Sequence, residues 1–283
     1  MGLDQPEFQQ VCIHGRANKK TLVLYYGESS LVKTGRIENY YGFEYGIDGN
    51  ELYNNGINQA KNIGVDVVKE EVLKIEMCAS NFFKVRTSKQ LYECRSIIMS
   101  MGIKKNVPKI KGVKELEGKG VSYCAMCDGF FYKNKNVVVI GSGDYAVSET
   151  NDLINVVNKV TILTDGKNAP EIRDENVDVI TKDIKEVSGE NKVREVRFHD
   201  DSVIQTDGVF IAQGIAGIIE LARKLGIIIE NNTIIVDNNM KTNIKGVFAC
   251  GDCTGGLLQI SKAVYEGAKA GISAVEYLKE NNT

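Results

Sequence analysis

Residues 136–150 read NVVVIGSGDYAVSET. Val137 to Ile140 is an apolar run of strand length, and a glycine-rich turn follows at once. Gly141 and Gly143 permit a tight turn that brings backbone N–H groups close to a pyrophosphate at a helix N-terminus. Ala146, in the third position, still allows the helix to pack on the strand. Residues 145–156 read as that helix and Val160 to Leu163 as a second strand. This is a β-turn-α-β unit, the pattern of a doubly wound parallel sheet. Such a turn can also survive as structure after nucleotide binding is lost.

Similar signals extend in both directions. Residues 20–25 (KTLVLY) read as a buried strand, and residues 50–63 as a helix with Leu52, Ile57, Ala60 and Ile63 on one side. Strand-like runs follow at 65–70, 82–87 and 95–99. A loop with Pro108 and several lysines then marks a boundary between folding units. Further strands are expected at 177–180, 193–198, 208–212, 233–236 and 246–249, and a long helix over 259–279.

Composition narrows the classes. A chain of 283 residues suits about two domains. The 35 basic and 37 acidic residues nearly cancel, which argues against a nucleic-acid partner and against a polybasic membrane binder. The opening MGLDQPEFQQ has neither the basic start nor the apolar run of a secretory signal, and no stretch has a membrane helix's apolar length. A cytoplasmic protein with reduced thiols is the expectation. No HExxH, GxSxG or P-loop is present.

Seven cysteines include two C-x-x-C pairs, Cys124/Cys127 and Cys250/Cys253. In a reducing compartment such spacing points to redox or metal chemistry before structural staples. The first pair stands in Cys124-Ala-Met-Cys127-Asp128-Gly129. A turn or helix start lowers one thiol pKa, and the adjacent carboxylate can shuttle a proton to and from a leaving thiolate. The plain alternative is two half-buried cysteines beside an exposed Asp. A Cys₄ zinc site from both pairs is the other competitor; redox chemistry fits Cys124/Cys127 better, and no metal is expected. Gly251-Asp252 follows the strand-like GVFA, where an Asp can hold a ribose or ribityl hydroxyl or simply make a turn.

Taken together, RANKKTLVL, IENYYGF, CAMCDGFF, NVVVIGSGDYAVSE and GVFACGDCTGGLLQISKAV resemble, in order, the segments of the thioredoxin reductase family, the small flavoprotein disulfide reductases. The resemblance implies an α/β fold of two doubly wound Rossmann-like domains. A discontinuous FAD domain would take 1–111 and 233–283, and a central nucleotide-domain-like unit 112–232 would carry the disulfide. It implies that Cys127 interacts with the flavin, Cys124 attacks the partner disulfide and Asp128 serves as acid/base. Tyr25, Thr34, Asn39, Gly251, Asp252, Gln259 and Ile260 match positions that line FAD. Thioredoxin as partner and a homodimer are implied too.

The chain departs from the family at three points. The usual N-terminal strand and GxGxxG turn, which anchor the FAD pyrophosphate, are missing before Lys20, and Tyr25 stands where the family has a Glu for the adenosine ribose. Leu163-Thr-Asp-Gly-Lys167 replaces the basic cluster that a 2′-phosphate needs, and Asp165 would repel that group. This argues against NAD(P)H as donor, leaves Gly141, Gly143 and Ala146 as a vestigial nucleotide turn, and resembles the clostridial ferredoxin-dependent flavin branch, with reduced ferredoxin as donor. The strand exit usually written ATG is Ser100-Met101-Gly102. The expected function is thus a flavin-dependent thioredoxin-disulfide reductase; the alternative is a flavin-poor remnant that only binds thioredoxin.

Overall fold

The computed structural model describes residues 19–27, 29, 31–32, 35–78, 82–100, 108–213 and 217–281. Thr34, Cys12, His14 and the expected loss of the GxGxxG start fall outside the described residues. The chain divides into two units, Met1–Lys104 with Gly217–Thr283, and Lys105–Ala216. The division lies at 104/105 and 216/217, so residues 217–232 go with the discontinuous unit and not with the central one to which the sequence assigned them.

The first described element of the discontinuous unit is β1 (Leu22–Tyr25). Helix α1 (Gly49–Asn62) follows because Asp48 caps it, its Oδ1 accepting the N–H groups of Asn50 and Glu51 at 2.9 and 3.1 Å. Gly64, in the left-handed region at φ 83°, ends it. Strand β2 (Asp66–Lys69) pairs in parallel with β1, Leu22 opposite Asp66. Then β3 (Val72–Cys78), β4 (Phe82–Thr87) and β5 (Leu91–Cys94) form an antiparallel sheet. Glu70 is buried at its base, accepting hydrogen bonds from Thr87 Oγ1, Gln90 Nε2 and Tyr92 OH. These donors, Thr87 above all, hold the Glu70 carboxyl below the usual carboxylate range despite its burial. Strand β6 (Ile97–Met99) leads back toward the core.

The central unit contains β7 (Val121–Ser122), the single-turn helix α2 (Ala125–Asp128), β8 (Asn136–Ile140), α3 (Asp144–Ile154), β9 (Lys159–Leu163), β10 (Val177–Ile180), β11 (Ile184–Ser188), β12 (Glu195–Phe198), β13 (Val203–Gln205) and β14 (Gly208–Ile211). Its five-stranded parallel sheet has the order β10-β9-β8-β14-β7. Val137 to Ile140 are all buried, as expected of a strand covered on both faces. An antiparallel sheet, β11-β12-β13, shares one core with it, in which Val138, Ile140 and Leu163 meet Ile184, Val187 and Val196.

After residue 216 come α4 (Ile218–Lys224), β15 (Val247–Ala249) and the 21-residue α5 (Ile260–Glu280). Strand β15 pairs in parallel with β6, Val247 opposite Ile97. Besides its antiparallel sheet, this unit thus has two parallel strand pairs among the described residues, β2-β1 and β6-β15. A cavity of about 950 Å³ is lined by residues of both pairs, among them Leu22, Val23, Val67, Ile97 and Ile98.

Candidate redox site

The redox segment sits in the central unit, where β7 delivers the chain to α2. Cys124 and Cys127 form a disulfide with Cα atoms 5.3 Å apart. Cys124 is the N-cap of α2, and its Sγ accepts the Cys127 N–H at 3.1 Å. Cys124 is buried whereas Cys127 is exposed, so the second sulfur is the one open to solvent. Asp128 Oδ2 accepts a 2.6 Å hydrogen bond from Ser122 Oγ, which itself accepts the Cys124 N–H at 3.1 Å. Glu149 of α3 is 1% exposed, and its Oε2 accepts the Ala125 N–H at 2.8 Å. Spacing alone finds Cys124, Cys127 and Asp128 but misses Ser122 and Glu149. A Ser two residues before the first Cys is a visible signal. Glu149 is not, because a charged residue on a helix is read as solvent-facing.

Beyond the disulfide the chain turns through Gly129–Tyr132. Tyr132 turns inward, its ring edge-on to Phe210 at 5.3 Å, and burial pushes its phenol pKa up, with Asp128 and Asp207 adding to the effect. Gly208 must be glycine here, since a Cβ would lie 2.2 Å from the Tyr132 ring. With Tyr132 anchored, Phe130 and Phe131 stand 74% and 71% exposed and Met126 43% exposed. Three large apolar side chains thus project beside the disulfide.

At the glycine-rich turn, a Cβ on Gly141 would lie 2.2 Å from the Ala212 carbonyl oxygen and 2.8 Å from the Ala146 Cβ. Gly141 and Ala146 therefore serve close packing, while Gly143 faces open space as the N-cap of α3. An acidic residue, Asp144, occupies the first turn of α3. At the end of β9, Asp165 accepts the Ile184 N–H at 2.9 Å and Gln213 Nε2 at 3.4 Å. Residues 164–176 contain no helix.

In the discontinuous unit, Asn39 Nδ2 donates to Gln259 Oε1 at 3.2 Å, a contact across 220 residues. Tyr25 and Ile260 pack on one cluster built by Val23, Leu31, Ile37 and Tyr53. Gly251, at φ 80°, and Asp252 begin a tight turn after β15. Lys262 Nζ donates to the carbonyls of Gly251 and Gly255 and pairs with Glu266, while Glu266 Oε2 accepts the Gly251 N–H at 2.9 Å. The second C-x-x-C is buried and unbridged, with Cys253 Sγ directed at the Cys250 carbonyl and burial pushing its thiol up to about 12. Such a thiol is inert as a nucleophile at neutral pH.

The model for the family described as pyridine nucleotide-disulphide oxidoreductase matches residues 7–267. The chain belongs to this family. Among curated relatives, a thioredoxin reductase of Listeria innocua is 35% identical over 283 residues, covering 94% of this chain and 88% of the relative. One from Bacillus subtilis is 35% identical over 283 residues, covering 94% and 89%. Among solved structures, an atypical thioredoxin reductase of Desulfovibrio vulgaris Hildenborough matches with a TM-score of 0.89 at 34% identity, covering 99% of this chain and 96% of that one. A ferredoxin-flavin thioredoxin reductase of Clostridium acetobutylicum matches with a TM-score of 0.67 at 32% identity, covering 99% and 96%.

FAD is the cofactor of this pyridine nucleotide-disulphide oxidoreductase family. Helix α5 is long, and its N-cap, Gln259, makes no side-chain capping bond, which leaves first-turn N–H groups for an acceptor such as a flavin carbonyl. The Gly251 turn beside it presents Asp252, whose carboxylate suits a ribityl hydroxyl. These residues fit the flavin end of FAD.

Proposed function

We propose that the chain is a flavin-dependent thioredoxin-disulfide reductase. The observation that carries this reading is the Cys124–Cys127 disulfide at a helix start, with Asp128 held beside it and Phe130 and Phe131 projecting into solvent. Bound FAD supplies the two-electron reductant that reopens this disulfide. In the reduced pair, the Cys124 thiolate attacks one sulfur of the thioredoxin disulfide and releases the other as a thiolate. The Cys127 thiolate then attacks Cys124 Sγ, re-forming the Cys124–Cys127 disulfide and freeing dithiol thioredoxin. Asp128, oriented by Ser122, protonates the leaving thiolate. Asn39, Gly251, Asp252, Gln259 and Ile260 would hold the flavin end of FAD, and Tyr25 would lie toward its adenosine ribose.

Reduced ferredoxin is the donor in this reading. An acidic residue in the first turn of α3 and an Asp165 committed to the Ile184 N–H suit a nucleotide phosphate poorly. Thioredoxin and ferredoxin are the protein partners, a second copy of the chain completes a homodimer, and the cytoplasm is the place of work.

Phe130, Phe131 and Met126 form the docking surface for thioredoxin. Large apolar side chains exposed beside a reacting sulfur gain most when a partner covers them. Phe130→Ala and Phe131→Ala are expected to raise KM for thioredoxin roughly 10–30-fold each with little change in kcat. Steady-state kinetics with reduced ferredoxin check this; an unchanged KM in both variants removes the surface from the account.

A second reading is a flavin-poor thioredoxin-binding protein. Tyr25 at the end of β1, where the family has a Glu for the adenosine ribose, favours it. Retention of FAD separates the two readings.

A further inference from the structure

We propose that Lys262 and Glu266 are positioning residues for the cofactor: together they clamp the turn at 251–255 to the start of α5 and so fix the shape of the flavin end of the FAD site. The inference deepens the proposed flavin-dependent reductase and rests on that reading.

Glycines make this turn pliant. Gly251, Gly255 and Gly256 stand at φ 80°, 75° and 75°, in the left-handed region, and glycine has the most backbone freedom to lose on ordering. A side chain on such a segment, here Asp252, is placed less precisely than one on a helix.

Helix α5 supplies the rigid reference. Lys262 and Glu266 are one turn apart on it, so they face the same side, and their side chains are only 14% and 13% exposed. Lys262 Nζ donates to the Gly251 carbonyl at 2.7 Å and to the Gly255 carbonyl at 2.6 Å. It also lies 3.0 Å from Thr254 Oγ1 and 2.9 Å from Glu266 Oε2. One amine thus grips both ends of the turn. Glu266 Oε2 accepts the Gly251 N–H at 2.9 Å and the Thr254 hydroxyl at 2.8 Å. Between them the two side chains engage both backbone polar groups of Gly251, the residue before Asp252.

Packing alone does not account for this choice of residues. Two apolar side chains of similar volume can hold a helix against its neighbours as well as an ion pair does. They would leave the Gly251 N–H and the Gly251 and Gly255 carbonyls without these partners. Apart from the contact of Lys262 with Glu266, every one of these bonds ends on the turn, so the turn is what they fix. Asp252, which suits a ribityl hydroxyl, and the start of α5, which suits a flavin carbonyl, are thereby held at one spacing before FAD arrives. Ordering a site in advance appears as affinity.

The test uses the full chain loaded with FAD and three variants, Lys262→Met, Glu266→Met and Glu266→Gln. Each holoprotein is diluted in steps and ultrafiltered, and free FAD in the filtrate gives the dissociation constant. Visible circular dichroism of the FAD still bound reports how firmly its isoalloxazine is fixed. Lys262→Met is expected to weaken FAD binding about 10–100-fold and Glu266→Met about tenfold. Glu266→Gln keeps an oxygen for the Gly251 N–H and should stay within about threefold of the parent chain. The dichroism per bound FAD should fall in both methionine variants and return in Glu266→Gln. Methionine variants that hold FAD as tightly as the parent, with the same dichroism, would overturn the proposal. So would Glu266→Gln as weak as Glu266→Met, since the accepting oxygen would then count for nothing. If Lys262→Met does not fold, the two Glu266 variants still decide. A parent chain that retains no FAD would end the flavin reading itself, and this inference with it. A parent that retains FAD beside unaffected variants leaves that reading standing and removes only the clamp.

Discussion

Cys124→Ser and Cys127→Ser should each lower thioredoxin-disulfide reduction by at least about 1,000-fold, because the two sulfurs act as one unit. The two variants should fail differently. Cys124→Ser has no nucleophile to attack the incoming disulfide, so it forms no covalent adduct. Cys127→Ser keeps the attacking thiol but cannot resolve the mixed disulfide, and should accumulate a complex with thioredoxin that is split by dithiothreitol. Non-reducing electrophoresis distinguishes them. Cys124 is buried and Cys127 exposed while the disulfide is closed, so the assignment of roles is itself at stake. Accumulation of the adduct in Cys124→Ser and not in Cys127→Ser would reverse those roles, and turnover unchanged in both would remove the dithiol from the mechanism. The buried second pair provides the control. Cys253, with its thiol pushed up to about 12, should tolerate Cys253→Ala with its reductase chemistry intact.

The second large effect concerns the donor. In an anaerobic titration, reduced ferredoxin should bleach the bound flavin, and micromolar NADPH or NADH should not. The central turn keeps the shape of a nucleotide site, with Gly141 packed against Ala212 and Gly143 open. Its charges are wrong for a phosphate. Asp144 sits in the first turn of α3, where a helix end favours an anion, and Asp165 is bound to the β11 backbone where a basic partner would be needed. Losing a charge-assisted phosphate contact and gaining a repulsion costs about 3 kcal/mol, roughly a hundredfold in affinity. Rapid bleaching by NADPH at micromolar levels would exclude ferredoxin preference on these grounds.

The parallel sheets were legible because their signals are local. NVVVIGSG reads as strand and turn within eight residues, and KTLVLY and GVFA likewise become β1 and β15. Strand β3 was not expected. It follows β2 after only Glu70 and Glu71, and the turn there is set by Thr87, Gln90 and Tyr92, some 17–22 residues away. Helix α4 has seven residues, too few for periodicity to register. In the site, the spacing of Cys124, Cys127 and Asp128 announces redox chemistry, but the clamps on it do not follow from spacing. Ser122 gains its meaning only when α2 folds back to place Asp128 against it, and Glu149 only when α3 lies along α2. The contact of Asn39 with Gln259 spans 220 residues, and no local pattern could join them.

Reductase activity requires that this chain hold a flavin able to recharge the Cys124/Cys127 pair. The direct measurement is the visible spectrum of the purified protein, before and after incubation with FAD and removal of the excess. A yellow protein is expected, whose flavin stays with the chain after the excess is removed. A preparation that is colourless and remains so after added FAD is washed away would contradict it.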